Sequence, residues 1–354
     1  MQRSPSIIST RTDLVSIIVL NFNGFKFVER CLNSLFVTDY PAFEVLFVDN
    51  GSSDGSAGFV KKKYGRDPRL VILSLGRNYG FAEGNNIGVK NSHGNTIVFL
   101  NIDTEVDPMW LKEAIKVMMN DPTIGIGQCK LLQMDTAPPT LDCAGAFVDV
   151  LGFTHAIGAS AIDTGQYDRA SEIFYAKGAA MVVKRHVLDE VGLFDPDTFL
   201  GRDDVDLCWR VWLRGYKVVF LPKSIVHHFG SGIVKQEIAD TVAYHHFVKN
   251  HIALLVKNYE IESLIRYLPV LTFVYMGLAI RFFLKKSLRN GMAIIDAFVW
   301  NVRNIRKTLI KRWIVNRRIR HVTDKSIIDK LMMNLSTLIR FMWKKEERGA
   351  VSKS

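Results

Sequence analysis

Three aspartates, Asp203, Asp204 and Asp206, lie within four positions of the chain. They open the segment 201–214, whose apolar residues recur at the spacing of a helix. Acidic side chains suit a helix N-terminus, where unpaired N–H groups carry partial positive charge. Carboxylates this close repel one another, so at least one should have a raised pKa, which is the usual preparation of a general base. The alternative is an acidic cap on a surface helix.

Other polar groups come directly after apolar runs that are typical of buried parallel strands. The runs LVSIIVL, FEVLFV and TIVFL are followed by Asn21, Asp49 and Asn101, respectively. Asp49 is placed either to hydrogen-bond a base or ribose or to cap the next helix as a turn residue, and both interpretations stay open. For Asp54, in the same turn, capping is the favoured interpretation.

Three further features could bind charged groups. The segment GRNYGFAEGNNIG (76–88) is rich in Gly and Asn, which tolerate left-handed geometry and close approach to a ligand. It either faces a phosphate or sugar or is a structural loop. Asp103 is a candidate ligand for Mg²⁺ or Mn²⁺ together with diphosphate oxygens. His227 and His228, beside a Gly-Ser-Gly loop, are candidates for contact with a metal or phosphate.

An alternation of apolar strands and helical patterns must position these groups. It predicts a parallel, doubly wound α/β sheet, in which ligands bind at the carboxyl ends of the strands. Strands are predicted at 174–183 and 216–221, on either side of the acidic helix, and a loop is predicted from Pro222 onward. Residues 133–172 are expected to form loops and short strands that wall an acceptor or substrate.

Length and composition restrict the number of domains and the kinds of partner that the protein can have. The chain has 354 residues, of which 48% are hydrophobic, enough for one large domain or two ordinary ones. From Glu260 onward there are 20 Lys and Arg residues against 7 Asp and Glu, so the net charge of +11 belongs to the C-terminal quarter. Basic character combined with apolar character favours an anionic lipid surface over nucleic acid. Four scattered cysteines fit a reducing cytosol, and residues 1–13 lack the apolar core of a secretory signal.

The C-terminal quarter is helical in pattern from Tyr244. Its uncharged run at 267–280, extended by 282–284, is shorter than the roughly 20 residues of a membrane span. We therefore favour helices that lie on a membrane over a true span. The segment 298–320 mixes Trp, Ile and Arg at amphipathic spacing, as expected on anionic lipid. The alternative is a helical cap on the preceding domain or on a dimer partner.

Six motifs occur in a specific order. They are VSIIVLNFNG, FEVLFVDNGSSDGS, GRNYGFAEGNNIG, VFLNIDTEV, GAAMVV followed by LFDPDTFLGRDDVDLCWRVWLRGYKVVFLP, and HHFGSG. Together they resemble the family 2 inverting glycosyltransferases with the GT-A fold, in the subgroup of rhamnosyl- and other cell-surface polysaccharide transferases. The resemblance covers roughly residues 14–232.

The resemblance implies a role for individual residues. Asp204 matches the catalytic base, Asp203 its acidic neighbour, and Arg210 the arginine that supports their helix. The implied contacts to metal or diphosphate are Asp103, His227 and His228. The implied nucleotide-sugar contacts, with Asp49 on the base, are Leu20, Asn21, Phe22, Asn23, Asp49, Asn78, Gly80, Asn86, Asn101 and Asp103.

Two positions depart from the family pattern. The segment Asn101-Ile102-Asp103 has one carboxylate where many members have two or three, and Asp203 stands where Glu is common. In the implied reaction, Asp204 takes the proton of an acceptor hydroxyl while that oxygen attacks C1 of the donor sugar. A divalent cation, Mg²⁺ or Mn²⁺, stabilises the charge on the departing nucleoside diphosphate.

We therefore expect a tail at 1–13, a GT-A catalytic domain at 14–243 and a basic, membrane-associating helical region at 244–354. The expected enzyme moves one hexosyl or rhamnosyl group from a dTDP-, UDP- or GDP-sugar to a glycan or polyprenyl-linked acceptor. It is expected at the cytoplasmic face of the membrane through 260–320, with no nucleic acid partner and with a second copy of the chain, in a homodimer, as a candidate partner. The alternatives are a processive polysaccharide synthase, whose QxxRW motif the sequence lacks, and a non-catalytic nucleotide-sugar-binding protein.

Overall fold

The computed structural model describes residues 14–230 and 240–333. The predicted tail at 1–13 lies outside them, as do 231–239, which include the end of the HHFGSG motif, and 334–354 at the end of the predicted helical region. In the described residues, a central sheet is flanked by helices, and a C-terminal group of helices packs against this α/β part.

The strands follow the apolar runs, because β-branched side chains fit the buried, pleated surface of a sheet. In chain order they are β1 (Val15–Asn21), β2 (Phe43–Asp49), β3 (Leu70–Ser74), β4 (Thr96–Asn101), β5 (Thr104–Val106), β6 (Ile124–Gln133), β7 (Leu141–Cys143), β8 (Ala146–Asp149), β9 (Thr154–Ala156), β10 (Ser171–Glu172), β11 (Ala180–Lys184), β12 (Lys217–His228) and β13 (Met332–Met333).

The central sheet has the strand order β10–β12–β6–β11–β4–β1–β2–β3, with β5 paired to β12 and β7 to β6. Strands β3, β2, β1 and β4 are parallel neighbours, as the alternation of strands and helices predicts. Strand β11 is antiparallel to both β4 and β6, so the sheet is mostly rather than wholly parallel. A separate three-stranded sheet has the order β13–β8–β9.

Two strands differ from their predicted bounds. β11 begins at Ala180 instead of at residue 174, because a turn between the Ala180 N–H and the Lys177 carbonyl (3.4 Å) precedes it. β12 continues through Pro222 to His228, where a loop was predicted. Proline has no N–H to give to the ladder, and a shift of register between Leu221 and Ile225 accommodates it. The paired histidines therefore lie on a strand.

The helices include the predicted acidic helix, which begins at Asp203 and ends before Gly215, a left-handed residue with φ of 99°. In chain order they are α1 (Phe25–Phe36), α2 (Ser56–Tyr64), α3 (Gly80–Lys90), α4 (Trp110–Asn120), α5 (Arg185–Val191), α6 (Asp203–Arg214), α7 (Asp240–Asn258), α8 (Ile261–Leu284), α9 (Leu288–Arg303), α10 (Ile305–Ile314) and α11 (Asp324–Leu331), with a π-helical turn at Val315–Ile319.

An ion-pair network joins the C-terminal helices to α6 and to the segment before it. The Lys257 ammonium, on α7, lies 2.9 Å from the Asp195 carboxylate and 2.7 Å from that of Asp206. Lys311, on α10, also pairs with Asp195, and Arg210 donates to Asp206 over 3.0 Å. Buried charges are costly unless each keeps a partner, so these helices and α6 depend on one another.

Replacing Lys257 by Met is expected to lower the free energy of unfolding by roughly 2–4 kcal/mol, because Asp195 and Asp206 then stay buried with one cation each. Denaturant unfolding followed by tryptophan fluorescence measures the loss. The control, Lys61→Met at an exposed lysine of α2, should change stability by less than about 0.5 kcal/mol. Equal stabilities of the two variants would contradict the dependence of the fold on this network.

Candidate active site

Asn21, at the carboxyl end of β1, holds the turn that follows β2. It is fully buried, and its Nδ2 lies 3.0 Å from Asp49 Oδ1, 3.0 Å from Ser52 Oγ and 2.8 Å from Ser56 Oγ. Its Oδ1 has no hydrogen-bond partner in the described part of the chain, and a Cβ at Gly24 would approach that oxygen to 2.6 Å. The turn between β1 and α1 therefore packs tightly against the Asn21 side chain. The Asn21 amide, in turn, fixes the position of Asp49.

Asp54 and Asn23 complete this turn. Asp54 accepts hydrogen bonds from the Phe25 N–H (2.8 Å) and the Ser56 N–H (3.0 Å), at the starts of α1 and α2. Burial opposes ionisation of Asp54, but the hydrogen bonds outweigh it and lower its pKa. Asp54 thus caps helices, as favoured from the sequence. Asn23, with φ of 50°, accepts from the Ser53 N–H (3.0 Å).

Asn50, directly after β2, fixes the Gly-rich loop and was not among the predicted residues. Its Nδ2 donates to Asn78 Oδ1 (3.0 Å) and to the Gly80 carbonyl (3.1 Å), and its Oδ1 accepts from the Tyr79 N–H (2.9 Å). Gly80 has φ of 77°, and a Cβ there would lie 2.5 Å from the Phe199 carbonyl oxygen. The loop is thereby held between the end of β2 and the segment that leads to α6.

Asn86 and Asn101 make contacts within the protein. The Asn86 amide donates to the Phe194 carbonyl (2.9 Å), and its Oδ1 accepts from the Phe194 N–H (3.1 Å), so it ties α3 to the segment before α6. The Asn101 N–H donates to the Ala179 carbonyl (3.0 Å), which joins the ends of β4 and β11. Leu20 packs where a Cβ at Gly84 would stand, at 2.7 Å. Contact of these residues with a nucleotide sugar stays a prediction.

Asp103 and His228 meet at the junction of β4, β5 and the end of β12. His228 Nε2 lies 3.5 Å from Asp103 Oδ1, and His228 Nδ1 lies 3.0 Å from Asp142 Oδ2. Burial opposes protonation of His228, but the two carboxylates outweigh it and raise its pKa to about 9. The space between the Asp103 and Asp142 carboxylates therefore favours a positive charge.

His227 points to the other face of the sheet, because consecutive strand residues face opposite sides. It lines a surface groove together with Arg30, Glu105 and Asp135. Both carboxylates of this groove pair with Arg30. Of the two predicted histidines, the structure therefore places His228 beside Asp103 and His227 away from it.

The residues at Asp103 fit a divalent cation that is held jointly with a ligand. His228 Nε2 is buried and has no hydrogen-bond partner in the described residues, although it faces the Asp103 carboxylate. An imidazole nitrogen oriented by a second carboxylate, here Asp142, is a common arrangement around metal ions. No group of three or more His, Cys, Asp or Glu side chains within 14–230 and 240–333 is arranged so that it could hold a metal ion by itself, so diphosphate oxygens or water would complete the coordination.

A chain of contacts leads from this position to the acidic helix. Asp142 pairs with Lys177 Nζ at 3.2 Å, and the next residue, Gly178, has its N–H 3.4 Å from Asp204 Oδ2. Asp204 Oδ1 accepts from the Val205 N–H (2.8 Å). Asp103 and Asp204, a hundred residues apart in sequence, are thus linked through β7, the turn before β11 and the start of α6.

The three aspartates of α6 have different environments. Asp203 is buried, and burial together with the charge of Asp204 raises its pKa well above 3.8. Asp204 is partly exposed, and burial raises its pKa against the hydrogen bonds from Val205 and Gly178. Asp206 is paired with Lys257 and Arg210, which outweigh burial and lower its pKa. Asp204 is therefore partly accessible to solvent and also has a raised pKa.

Arg210 supports both α6 and the segment before it. It donates to Asp206 on its own helix and to the carbonyls of Val191, Gly192 (2.9 Å) and Leu193 (2.8 Å). It is buried, so these bonds are shielded from water. Arg210 thus joins the end of α5 to the helix that carries the acidic cluster.

Family models for glycosyltransferases match most of the described chain. The model for "Glycosyl transferase family 2" matches residues 16–141, and that for "Glycosyl transferase family group 2" matches residues 96–284, which is more than half of the chain. Together they include the turn after β1, the loop at α3, Asp103, α6, α7 and α8.

Relatives and solved structures agree with the family models. The O-antigen biosynthesis protein RfbC of Myxococcus xanthus is 31% identical over 226 residues, 61% of this chain but only 17% of that protein. Glycosyltransferase AglE of Haloferax volcanii is 27% identical over 237 residues, 63% of this chain and 70% of that protein.

Among solved structures, the mannosyltransferase PcManGT of Pyrobaculum calidifontis, in complex with GDP-Man and Mn²⁺, has a TM-score of 0.53 at 19% identity. The likeness covers 84% of this chain and 76% of that structure, and it shows a shared fold. The predicted GT-A fold and family are thereby confirmed, whereas the rhamnosyltransferase-like subgroup stays a prediction. The chain belongs to glycosyl transferase family group 2 and has the GT-A fold.

Proposed function

We propose that this glycosyltransferase moves one sugar from a nucleotide-sugar donor to a hydroxyl of a glycan or polyprenyl-linked acceptor, with inversion at C1. The observation that carries the proposal is Asp204, a partly exposed carboxylate of raised pKa at the start of α6. Both of its contacts, from Val205 and Gly178, are backbone N–H groups. Neither contact is an ion pair, so its oxygens are able to take a proton.

In the proposed step, Asp204 accepts the proton of the acceptor hydroxyl as that oxygen forms a bond to C1 of the donor sugar. The bond between C1 and the nucleoside diphosphate breaks, and the diphosphate leaves with its electron pair. A divalent cation, Mg²⁺ or Mn²⁺, would be held by Asp103 and His228 and would stabilise the charge of the leaving group. The turns fixed by Asn21 and Asn50 supply the proposed nucleotide site, for a dTDP-, UDP- or GDP-sugar.

The proposed process is synthesis of a cell-surface polysaccharide or glycolipid. RfbC is named for O-antigen biosynthesis, and this supports the process for the part of the chain that it matches. Single addition is favoured over processive synthesis because one helix of the described residues, α8, is long and apolar enough to cross a membrane. Processive synthases of this family carry several spans.

We also propose that the enzyme lies on the cytoplasmic face of the membrane through 260–320. Helices α8, α9 and α10 expose large apolar side chains to solvent, including Phe273 (78%), Leu284 (80%) and Val302 (73%). The opposite side of α8 packs against the rest of the protein, since the Tyr275 hydroxyl lies 2.7 Å from His251 Nδ1 of α7. A helix held in this way suits the interface better than the interior of a bilayer.

Replacing Asp204 by Asn is expected to lower transfer by about 10²–10⁴-fold, because the general base is lost. Transfer is measured with labelled UDP-, GDP- and dTDP-sugars and polyprenyl-linked acceptors, and NMR of the product gives its anomeric configuration. Asp39→Asn, at a surface pair with Lys112, is the control with unchanged transfer. Wild-type turnover of the Asp204→Asn variant, or a product of retained configuration, would overturn the proposal.

Metal dependence is tested through Asp142, which orients His228. Thermal unfolding is measured with UDP, GDP, dTDP and CMP, with and without Mn²⁺; a nucleotide at 100 times its Kd stabilises by about 2.7 kcal/mol. Asp142→Ala is expected to weaken Mn²⁺ affinity in the nucleotide complex by about 10–100-fold. His227→Ala, on the other face of the sheet, should leave it unchanged. A nucleotide shift that is independent of Mn²⁺ in the wild type argues against the metal.

Membrane docking is tested by flotation with vesicles that contain anionic lipid. The double variant Phe273→Asp and Leu284→Asp should bind at least about tenfold more weakly, since each lost apolar side chain is worth about 1.5–3 kcal/mol. The control is Val37→Asp, at an exposed valine outside the C-terminal helices. Equal binding of both proteins would contradict the proposal, as would a stable homodimer in solution that does not float with vesicles.

A further inference from the structure

Lys177 lies between the proposed base and the proposed metal position. Its Nζ lies 3.2 Å and 3.3 Å from the two carboxylate oxygens of Asp142, whose Oδ2 is 3.0 Å from His228 Nδ1. The next residue along the chain, Gly178, directs its N–H at Asp204 Oδ2 over 3.4 Å. One short turn, residues 177–180, therefore contacts both ends of the proposed site, and Lys177 is its only charged residue.

The backbone of this turn is fixed by Gln128, on β6. Gln128 is fully buried, and its Oε1 accepts a hydrogen bond from the Lys177 N–H. Its Nε2 donates to the Cys129 carbonyl (2.8 Å) and lies 3.4 Å from the Ala180 carbonyl oxygen. The Ala180 N–H in turn faces the Lys177 carbonyl (3.4 Å). The position of Lys177 therefore follows from buried contacts that do not involve its ammonium group.

Gly178 brings the turn against the Gly-rich loop. A Cβ at Gly178 would lie 2.7 Å from Cζ of the Phe81 ring, so the ring packs where the turn has no side chain. The Phe81 N–H donates to the Phe199 carbonyl (2.8 Å), in the segment before α6. The turn thus contacts the loop at α3 through Phe81, the start of α6 through Asp204, and β7 through Asp142.

The Asp142–Lys177 pair has capacity for a further polar group. Among the residues that the structure describes, the Lys177 ammonium forms hydrogen bonds only with Asp142, and an ammonium has three N–H donors. The side chains of Lys177 and Asp142 keep 27% and 20% of their surface exposed, respectively. Burial opposes ionisation of Asp142, but His228 and Lys177 outweigh it and lower its pKa. The pair therefore offers a charged donor beside a charged acceptor.

A sugar hydroxyl matches this pair, because a hydroxyl accepts one hydrogen bond and donates another. A carboxylate of an acidic sugar would gain from Lys177 but would also meet the like charge of Asp142. Inversion requires the attacking oxygen and the leaving group to lie on opposite faces of C1. In the proposed transfer the donor sugar therefore lies between Asp204 and the position of Asp103 and His228, which is where the pair bridges the two ends.

We propose that the Asp142–Lys177 pair is a specificity site for the donor sugar, in which the Lys177 ammonium donates to a ring hydroxyl and the Asp142 carboxylate accepts from it. This inference rests on the proposed function, because it uses the positions assigned to the base and the leaving group. It goes further in naming the class of donor, which is a neutral sugar with a free hydroxyl at this position. Lys177 is the specificity-determining residue, whereas Asp142 also orients His228.

The test measures binding rather than transfer. Calorimetry on the full chain with Mn²⁺ gives the Kd for UDP, GDP and dTDP and for their neutral sugar conjugates. Lys177→Met is expected to weaken binding of the sugar nucleotide by about 10–100-fold, and binding of the nucleoside diphosphate alone by less than about twofold, because only the sugar loses a hydrogen bond to a charged group. Lys223→Met, at an exposed lysine of β12, should leave both affinities unchanged.

Donor analogues that each lack one hydroxyl locate the contact. The analogue without the contacted hydroxyl should bind the wild type about 10–100-fold more weakly than the parent donor does. The Lys177→Met variant should bind this analogue and the parent with nearly equal affinity, since the partner of the hydroxyl is already lost. Lys177→Gln, which keeps an N–H donor, should recover part of the affinity for the parent donor.

An equal loss of affinity for the nucleoside diphosphate and for its sugar conjugate would overturn the inference. Identical discrimination among the analogues by the wild type and by Lys177→Met would also overturn it. If Lys177→Met does not fold, Lys177→Gln decides by the same comparison, with a smaller but still sugar-specific loss. Failure of the proposed function is separate, because it appears as retained transfer in Asp204→Asn. A wild-type protein that binds no sugar nucleotide would overturn both.

Discussion

The mutual neutralisation of Asp195, Asp206, Lys257, Lys311 and Arg210 is the interaction on which the rest of the site depends. It fixes α6 at one end to the C-terminal helices and at the other to the segment after α5. Without it, α6 would lose its buried ion-pair contacts to both neighbours, and Asp204 would be held less firmly against the turn at Gly178. Burying these charges is unfavourable unless all of the ion pairs are formed, and this requires every element to be in place. The site and the fold therefore form together.

Around this anchor, each feature of the proposed active site is positioned by a residue to which we assign no chemical step. Asn21 fixes the turn after β2, Asn50 the loop before α3, Asp142 the ring of His228, and Asn250 the turn before α6. Three of the four are asparagines, whose amide both donates and accepts over a short, stiff side chain. Such residues determine where backbone groups face, and the backbone groups then form the walls of the site.

The sequence predicts the sheet and the acidic helix well because both depend on local periodicity. The apolar runs of β1, β2 and β4 and the helix from Asp203 to Arg214 are where the patterns place them. Asn50 could have been identified by the criterion that selected Asp49, since it also lies in the polar segment that follows a buried apolar run. Asp142 could not have been identified in this way. The apolar residues of 133–172 recur with no clear period, and the pairing of β7 with β6 is a long-range contact. Which of His227 and His228 faces Asp103 could not be predicted either, because it depends on the continuation of β12 through Pro222, which places the two side chains on opposite faces of the sheet.

The division of the 134–172 region has a consequence for how such enzymes diversify. β7, which carries Asp142, belongs to the main sheet, whereas β8 and β9 form a small sheet of their own with β13. Changes in length between β7 and β10 can therefore be absorbed by loops, at an entropic cost that grows only slowly with loop length. If the acceptor binds at this wall, as we propose, evolution can exchange the wall without rebuilding the carboxylates, and acceptor choice can vary while the proposed catalytic groups are inherited.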